Sequence, residues 1–215
     1  MGSVTASSNQ SGRPTGTPGS TPGSTPDGSG PVETSFSGAG ADVTKEFRVE
    51  REGPTVLRLG HESAGRFAVT IADADGTQLD LRREHDAAWT GTYALALSPG
   101  ECTLTAGAAG QWSAEVVQQP RYALGEVQTQ WPVAFEGTTP AVDGPIDFSA
   151  ARTLSVTAAG GGTNTVAVRD ASGAIAALSV YGTEAVETTT DVSIPGDVGW
   201  LSVEPAGEFS VTLEE

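Results

Sequence analysis

The chain has 215 residues, of which 37% are hydrophobic and 6% aromatic, and its formal net charge is −16. Its length suits one large domain or two small ones, and its single cysteine excludes an internal disulfide and a cysteine-based zinc site. The acidic surface argues against nucleic acid or anionic lipid as a partner, and no apolar run approaches the roughly 18 residues that a membrane-spanning helix needs.

Residues 1–32 form a tail with few apolar side chains. The stretch 11–30 consists almost entirely of Ser, Thr, Pro and Gly, so it cannot bury enough apolar surface to offset its chain entropy. We therefore expect a disordered or extended linker that suits O-glycosylation. Asn9 begins the sequence NQS, which matches the N-glycosylation pattern but also arises often by chance. The first ten residues lack the basic and apolar segments of a signal peptide, so none is expected within this chain.

Residues 33–120 read as short alternating runs separated by turns, without a helical period. The sequence DADG at 73–76 predicts a hairpin turn in which Gly76 takes positive φ. The predicted strands of this first domain cover residues 55–59, 66–72, 77–82, 92–97, 102–106 and 112–117.

Residues 121–215 repeat this pattern at an offset of 96–97 residues. The second set of predicted strands covers residues 153–158, 165–170, 176–180, 189–194, 200–204 and 209–213. The aligned pairs include Leu57 with Leu154, Val69 with Val166, Asp73 with Asp170, and Gly76 with Gly173. The repeat predicts an all-β protein of two tandem antiparallel β-sandwiches, jelly-roll-like, each with seven or eight strands.

Two punctuation motifs recur in both copies. Pro99-Gly100 aligns with Pro195-Gly196, and each pair predicts a corner before the penultimate strand, because Pro presets φ and Gly reverses the chain. Gly110-x-Trp112 aligns with Gly207-x-Phe209, and each predicts a final strand that opens on a large ring plugging the sandwich. The linker around residues 118–130 is short enough for the domains to touch, with Trp131 or Tyr122 between them.

The motif residues resemble a loosely defined family of β-sandwich domains in secreted bacterial and archaeal proteins, similar to domains appended to the C-termini of secreted peptidases. The resemblance covers 36–120 better than 135–213, and Cys102 stands where such domains usually carry an aromatic residue. The tail resembles the spacer of haloarchaeal lipoproteins, although their anchoring cysteine is absent here. The resemblance implies a noncatalytic accessory module. It rests on Phe67, Asp73, Gly76, Gly91, Tyr93, Pro99, Gly100, Gly110, Trp112 and Pro120.

Four aromatic residues are candidates for a sugar-stacking platform: Trp89, Tyr93, Trp131 and Tyr181. Flat rings in loops and at strand ends stack pyranose rings, but tryptophan at a domain junction more often serves packing.

The carboxylates of Asp73, Asp75 and Asp80 are the weak candidates for a calcium site, since they offer hard oxygen ligands. The second copy keeps only Asp170 of this set, which favours a plain hairpin turn and no metal. No cofactor is expected.

A hydrolase would have to assemble a triad around His61 or His85, because the chain contains no HExxH and no GxSxG motif. Cys102 is in phase with apolar neighbours, which predicts a buried, inert thiol. The leading expectation is a non-enzymatic secreted or cell-surface structural or interaction module, tethered by its tail, whose partner is a cell-surface protein or glycan. The alternative is a carbohydrate-binding module that uses exposed aromatic residues.

Overall fold

The computed structural model describes residues 30–40, 42–120, 127, 130–150, 152–194, 196 and 198–215. Three residues that figure in the sequence-based predictions lie outside this range: Asn9, Tyr122 and Pro195. The described chain contains sixteen strands in four antiparallel sheets of four strands each. Among these residues no helix is long and apolar enough to cross a membrane.

The first eight strands form two sheets. Sheet A has the order β1-β8-β3-β6, and sheet B has the order β2-β7-β4-β5. The strands are β1 (Val32–Ala39), β2 (Val43–Val49), β3 (Pro54–His61), β4 (Gly65–Asp73), β5 (Gly76–His85), β6 (Trp89–Ala96), β7 (Gly100–Ala108) and β8 (Gln111–Gln118).

The last eight strands repeat this order. Sheet D, β9-β16-β11-β14, corresponds strand for strand to sheet A, and sheet C, β10-β15-β12-β13, corresponds to sheet B. The strands are β9 (Val133–Gly137), β10 (Ala141–Asp147), β11 (Arg152–Ala158), β12 (Asn164–Asp170), β13 (Ile175–Gly182), β14 (Val186–Val192), β15 (Val198–Glu204) and β16 (Phe209–Glu214). Both halves therefore have the eight-stranded jelly-roll order, and the all-β tandem sandwich is confirmed.

Each sandwich has its own core, built from the inward face of alternating strands. Leu57, Phe67 and Leu104 are fully buried in the first core, and Leu154, Val168 and Leu201 in the second. Every one of the twelve predicted runs overlaps a strand. β1, β2, β9 and β10 were not among these runs, because their alternation is masked by charged or polar residues and, in β10, by a Gly-Pro pair.

The recurrent punctuation lies where the sequence predicted it. Gly100 begins β7 with φ +142°, and Gly196, with φ +89°, precedes β15. Trp112 and Phe209 stand at the start of the last strand of each sandwich and are 2% and 5% exposed. These positions are corners and plugs of the fold, and they recur because the same corner is built twice.

Candidate functional site

Tyr93 lies in the core of the first sandwich, so the prediction that it stacks on a ligand is wrong. The side chain points inward from β6 and is 2% exposed. Burial raises its pKa to about 12, with Glu204 of the second sandwich adding to this effect and Arg83 opposing it. Its hydroxyl group makes no hydrogen bond of ordinary geometry, although Arg83 approaches it closely enough to act on its pKa. Tyr93 is therefore a packing residue of the first core.

Trp89 and Trp131 are both partly covered by their own domain. The Trp89 ring stacks on His85 at 4.9 Å between ring centroids and packs against Phe67. Trp131 packs against the second core beneath the Arg152 guanidinium, which lies 4.2 Å from the ring centroid. Trp131 therefore packs on the second sandwich, and the prediction that Trp131 or Tyr122 lies between the domains stays a prediction.

The two histidines are ring-packing residues at one end of the first sandwich. His61 is 1% exposed and stacks on Phe67 at 5.3 Å, and its Nε2 lies 3.3 Å from the Ser63 hydroxyl. A serine triad needs a carboxylate on the other imidazole nitrogen, but His61 Nδ1 is buried without a hydrogen-bond partner. Burial lowers the pKa of His85, and Arg83 and His61 add to that effect while Asp86 opposes it.

Asp73 holds a turn and a strand crossing. Its carboxylate accepts hydrogen bonds from the backbone N–H groups of Asp75 and Ser98, both at 2.9 Å, and from the Gln78 amide at 3.0 Å. Burial raises the pKa of Asp73, but these hydrogen bonds together lower it below its ordinary value. In the second copy Asp170 likewise accepts bonds from Ser172 and Ala174. In both copies, the carboxylate thus accepts backbone hydrogen bonds that close the equivalent hairpin turn.

The carboxylates of the other two calcium candidates have hydrogen-bond or ion-pair partners within the protein. Asp75 accepts a hydrogen bond from the Ser98 hydroxyl, and Asp80 pairs with the exposed Arg82 at 3.3 Å. Within the described residues, no group of three or more His, Cys, Asp or Glu side chains is arranged to hold a metal ion. Cys102 is 1% exposed, which confirms its predicted burial, and burial followed by Asp73 and Glu101 raises its pKa.

The largest feature that joins the two halves is an apolar contact between sheets A and C. Val56 and Val117, on the outer face of sheet A, pack against Trp200 on the outer face of sheet C, and Val142 flanks them. Trp200 is 4% exposed, and its ring lies against the backbone of Gly144, where a Cβ would come within 2.7 Å of it. We call this contact the interdomain interface.

The chain turn at Gly173 adds backbone contact to the interdomain interface. Gly173 has φ +87°, and a Cβ there would lie 2.9 Å from the Leu95 carbonyl oxygen and 3.0 Å from the Pro54 Cα. Arg169 holds the same turn, since its Nη1 donates to the Gly173 carbonyl at 2.9 Å and its Nε to the Ser202 hydroxyl at 3.1 Å. The backbone N–H of Thr92 also donates to the Pro140 carbonyl at 2.8 Å, from β6 to the segment before β10.

The repeat supplies an internal control for sheet A. The strand registers align Val56, Ala94 and Val117 of sheet A with Thr153, Asp191 and Glu214 of sheet D. All three sheet A residues are buried, whereas the sheet D residues face solvent or are half-buried. The face covered by the other sandwich is apolar, and its uncovered equivalent is polar.

Sheet C shows the same contrast with its equivalent, sheet B. The registers align Val142, Ala167 and Trp200 with Thr44, Thr70 and Thr103. Ala167 is fully buried and Trp200 nearly so, while Thr44 and Thr103 are exposed. Both faces of the interface therefore have apolar residues where the equivalent face of the other copy has polar ones. The interface joins the outer face of sheet A to that of sheet C, which are not equivalent, so the contact is head to tail.

One apolar surface of sheet C is left uncovered. Ile175, Leu178 and Tyr181 on the edge strand β13 are 52%, 52% and 75% exposed, and we call them the β13 strip. Register shifts in the pairing of β12 with β13 place these three residues opposite Arg169, Ala167 and Thr165. The strip therefore lies on the outer face of sheet C, beside the interdomain interface.

Of the four aromatic candidates, only Tyr181 is broadly exposed. Sequence reasoning missed Trp200 and the other two strip residues, Ile175 and Leu178. The signal that points to all three is a comparison between the copies, since each is a large apolar residue where the first copy has a polar one.

No protein-family model matches the chain, and no curated protein matches it by sequence. Among solved structures, the PBSX exported protein XepA is similar over 85% of both chains, with 11% identity and a TM-score of 0.29. The ANX1 ectodomain from Arabidopsis thaliana covers 85% of this chain and is itself covered to 83%, with 9% identity and a TM-score of 0.30.

Tripeptidyl peptidase 2 matches over 86% of this chain, which spans only 23% of that protein, with 12% identity and a TM-score of 0.31. These similarities are to proteins with β-structure, and at such TM-scores they support no family or activity for this chain.

Proposed function

We propose that the protein is a non-enzymatic structural and interaction module that acts at the cell surface or outside the cell. The observation that carries this proposal is the interdomain interface, with its apolar residues at covered positions and polar residues at the equivalent uncovered ones. An apolar interface of this kind favours one relative orientation of the two sandwiches over independent motion about the linker. A spacer or adhesion unit needs a fixed geometry of this kind to hold its binding surface at a set position.

The composition of the outer faces also supports the proposal. Sheet D presents Thr153, Ser155, Thr189 and Thr212 with several carboxylates, and Ser155 and Thr189 hydrogen-bond to each other at 3.1 Å. Hydroxyl and carboxylate side chains keep an uncovered sheet face solvated. The Ser, Thr, Pro and Gly composition of residues 11–30 suits a tether or spacer, which supports placement at a surface.

The proposal is tested by localisation and by shape. Intact cells of the native source are treated with an impermeant biotinylation reagent or with protease, and the protein is then detected by antibody. Labelling of the protein on intact cells, together with a solution scattering curve that one fixed arrangement of the two sandwiches fits, is the expected result. Protection in intact cells and exposure only after lysis would refute the surface placement.

The second candidate function is carbohydrate binding, and the exposed ring of Tyr181 favours it. It is tested by titrating cell-envelope polysaccharides into the protein in low and in molar salt, following intrinsic fluorescence. We expect no saturable response. A saturable response that is lost in Tyr181→Ala and kept in Thr157→Ala, an exposed residue on sheet D, would replace the structural proposal with this one.

A further inference from the structure

At the interdomain interface, outer-face positions are apolar where the other sandwich buries them, and the equivalent solvent-facing positions are polar. The β13 strip departs from this rule, because it is apolar and exposed. The registers of β4 with β5 and of β12 with β13 align Ile175, Leu178 and Tyr181 with Thr77, Asp80 and Arg82. On β5 these positions are exposed and polar, and Asp80 pairs with Arg82. At the interdomain interface the same change from polar to apolar accompanies burial by another sandwich. The strip carries the apolar residues, but none of the described residues covers it.

The backbone of β13 is arranged to present these three side chains together. A regular strand turns alternate side chains to opposite faces, so residues three apart would not share one face. The register shifts in β13, between the partners of Val166 and Ala167 and between those of Val168 and Arg169, each insert an extra residue. These bulges bring residues 175, 178 and 181 onto the outer face in a row, while Val180 remains in the core.

We propose that the β13 strip is the contact surface for a second copy of this chain, in a two-fold symmetric dimer. The inference does not depend on the proposed function. The strip continues the outer face of sheet C, which is already a sheet-docking surface because the first sandwich covers it at Trp200 and Val142. A second sandwich docking on the uncovered part of that face repeats a mode of contact that this chain demonstrably uses.

The position of the first sandwich selects the symmetry axis. The first sandwich contacts β10 and β15 through β6, and it also meets the turn at Gly173 that precedes β13. It therefore stands over one side and one end of sheet C and leaves the outer face of β13 itself exposed. A second copy can face the strip only if its own first sandwich lies on the opposite side. A two-fold axis running along β13 meets this condition, and it brings Leu178 against the partner's Leu178 in a self-complementary contact.

The composition of the strip fits an identical partner. It contains no charged residue, so that two copies, each with a net charge of −16, bring no like charges together within it. The bulges that shape β13 disfavour regular edge-to-edge pairing, which leaves side-chain packing as the mode of contact. The three side chains expose on the order of 300 Å² per copy, below the roughly 800 Å² per partner of a stable complex, so the dimer is weak and depends on concentration.

The test measures the mass of the full chain by sedimentation equilibrium from about 10 μM to 1 mM, in 0.05 M and 1 M NaCl. We expect a monomer–dimer equilibrium that strengthens with salt, because salt screens the repulsion between acidic copies. The test variant carries Ile175→Thr, Leu178→Asp and Tyr181→Arg, the residues that the first copy tolerates at the same positions. Its dimerisation constant should weaken at least tenfold.

The matched control carries Thr157→Asp and Ser210→Arg, which add the same two charges to paired exposed positions of sheet D. The control should dimerise like the unaltered chain. The circular dichroism and the tryptophan fluorescence of both variants should match those of the unaltered chain, which shows that both are folded. A second readout needs no destabilising change: Leu178→Cys should oxidise to a disulfide-linked dimer much faster than Ser210→Cys.

Three results would overturn the proposal. One is a monomer at 1 mM in both salt concentrations, and another is a dimer that persists in the triple variant. The third is a monomeric chain whose strip binds a foreign peptide or oligosaccharide, with that binding lost in the triple variant, which would assign the strip to a different occupant.

Discussion

Two glycines at equivalent positions of the two copies differ in the space around them, because the neighbouring sandwich contacts only one of them. Gly76 and Gly173 occupy the same hairpin turn with φ +123° and +87°. A Cβ on Gly76 would meet nothing within 4 Å, whereas one on Gly173 would meet the backbone of Pro54 and Leu95. The pair therefore separates backbone strain from interdomain contact.

We expect Gly76→Ala to lower the free energy of unfolding by about 1 kcal/mol, the strain of a left-handed alanine. Gly173→Ala should lower it by about 2–4 kcal/mol, since the added methyl group also displaces the other sandwich. Urea unfolding followed by the fluorescence of the tryptophans checks both values. Equal losses in the two variants would show that Gly173 does not contact the first sandwich in solution.

Tyr93 predicts a loss of stability at alkaline pH. Its pKa is raised from 10.0 to about 12, so between these values the unfolded chain has lost the phenolic proton while the folded chain retains it. The stability that this group contributes is fully present below pH 10 and is lost as pH rises toward 12, by up to about 3 kcal/mol.

In Tyr93→Phe this alkaline loss should be absent, and stability at pH 7 should change by no more than about 1 kcal/mol, because the hydroxyl group makes no hydrogen bond of ordinary geometry. Urea midpoints at pH 7, 10 and 11.5 measure the effect. Tyr181→Phe, at an exposed ring, is the control and should keep the pH dependence of the unaltered chain. A Tyr93→Phe profile that overlays the unaltered one would contradict the assignment.

At the scale of the strands and sheets, the outer face of each sheet decides its neighbours. The inner faces of both sandwiches are mostly apolar, so they specify two cores but not how the sandwiches meet. The outer face of sheet A is apolar at Val56, Ala94 and Val117, and sheet D, built on the same pattern, is polar at the equivalent positions. The polar outer face of sheet D is therefore unsuited to the apolar docking that sheet A makes.

We expect Val117→Glu to separate the two sandwiches, because a carboxylate at a position 2% exposed would be buried without a partner. The cost to docking is about 3 kcal/mol or more. The tryptophan emission, to which Trp200 contributes, should shift to the red, and solution scattering should show a larger radius of gyration while circular dichroism stays constant. The equivalent change in the exposed copy, Glu214→Val, should alter neither quantity. A tryptophan emission spectrum that does not shift in Val117→Glu would refute the interface.

For the whole molecule, charge is the dominant property. The net charge of −16 lies entirely on residues 31–215, with one lysine among eleven basic residues. Most ion pairs among the described residues are exposed or half-exposed, such as Arg48 with Glu101 at 2.7 Å and Arg58 with Glu115 at 2.7 Å, while Arg152 with Asp147 is largely buried. Exposed pairs of this kind contribute little each, so most of the acidic charge is uncompensated.

Raising NaCl from 0.01 M to 0.3 M should therefore raise the melting temperature by several degrees, because the Debye length falls from about 30 Å to below 10 Å and the self-repulsion is screened. The measurement is differential scanning calorimetry at pH 7. At pH 4.3, near the isoelectric point, the same salt series should have little effect. A melting temperature independent of salt at pH 7 would show that the acidic groups do not limit stability.

The sequence by itself determined the parts of this protein that depend on local order along the chain. Alternation at period two, the turn at residues 73–76 and the recurrence of Pro-Gly and Gly-x-aromatic corners sufficed for the strands and the two-copy plan, because strand faces and turns follow from neighbours in sequence. The buried state of Cys102 and Trp112 followed for the same reason. The four missed strands lie where charges or a Gly-Pro pair hide the alternation.

The tertiary structure alone decided which outer faces are covered. Tyr93 is in phase with Leu95 and Leu97, so alternation alone could have assigned it to the core. Trp131 was assigned to the second core only by its packing there and by Arg152 over its ring. Trp200 and the β13 strip share the sequence signature of an apolar residue at a polar position of the repeat. One is covered by the first sandwich and the other is not, because burial of a sheet's outer face depends on contacts between residues far apart in sequence, which alternation along one strand does not encode.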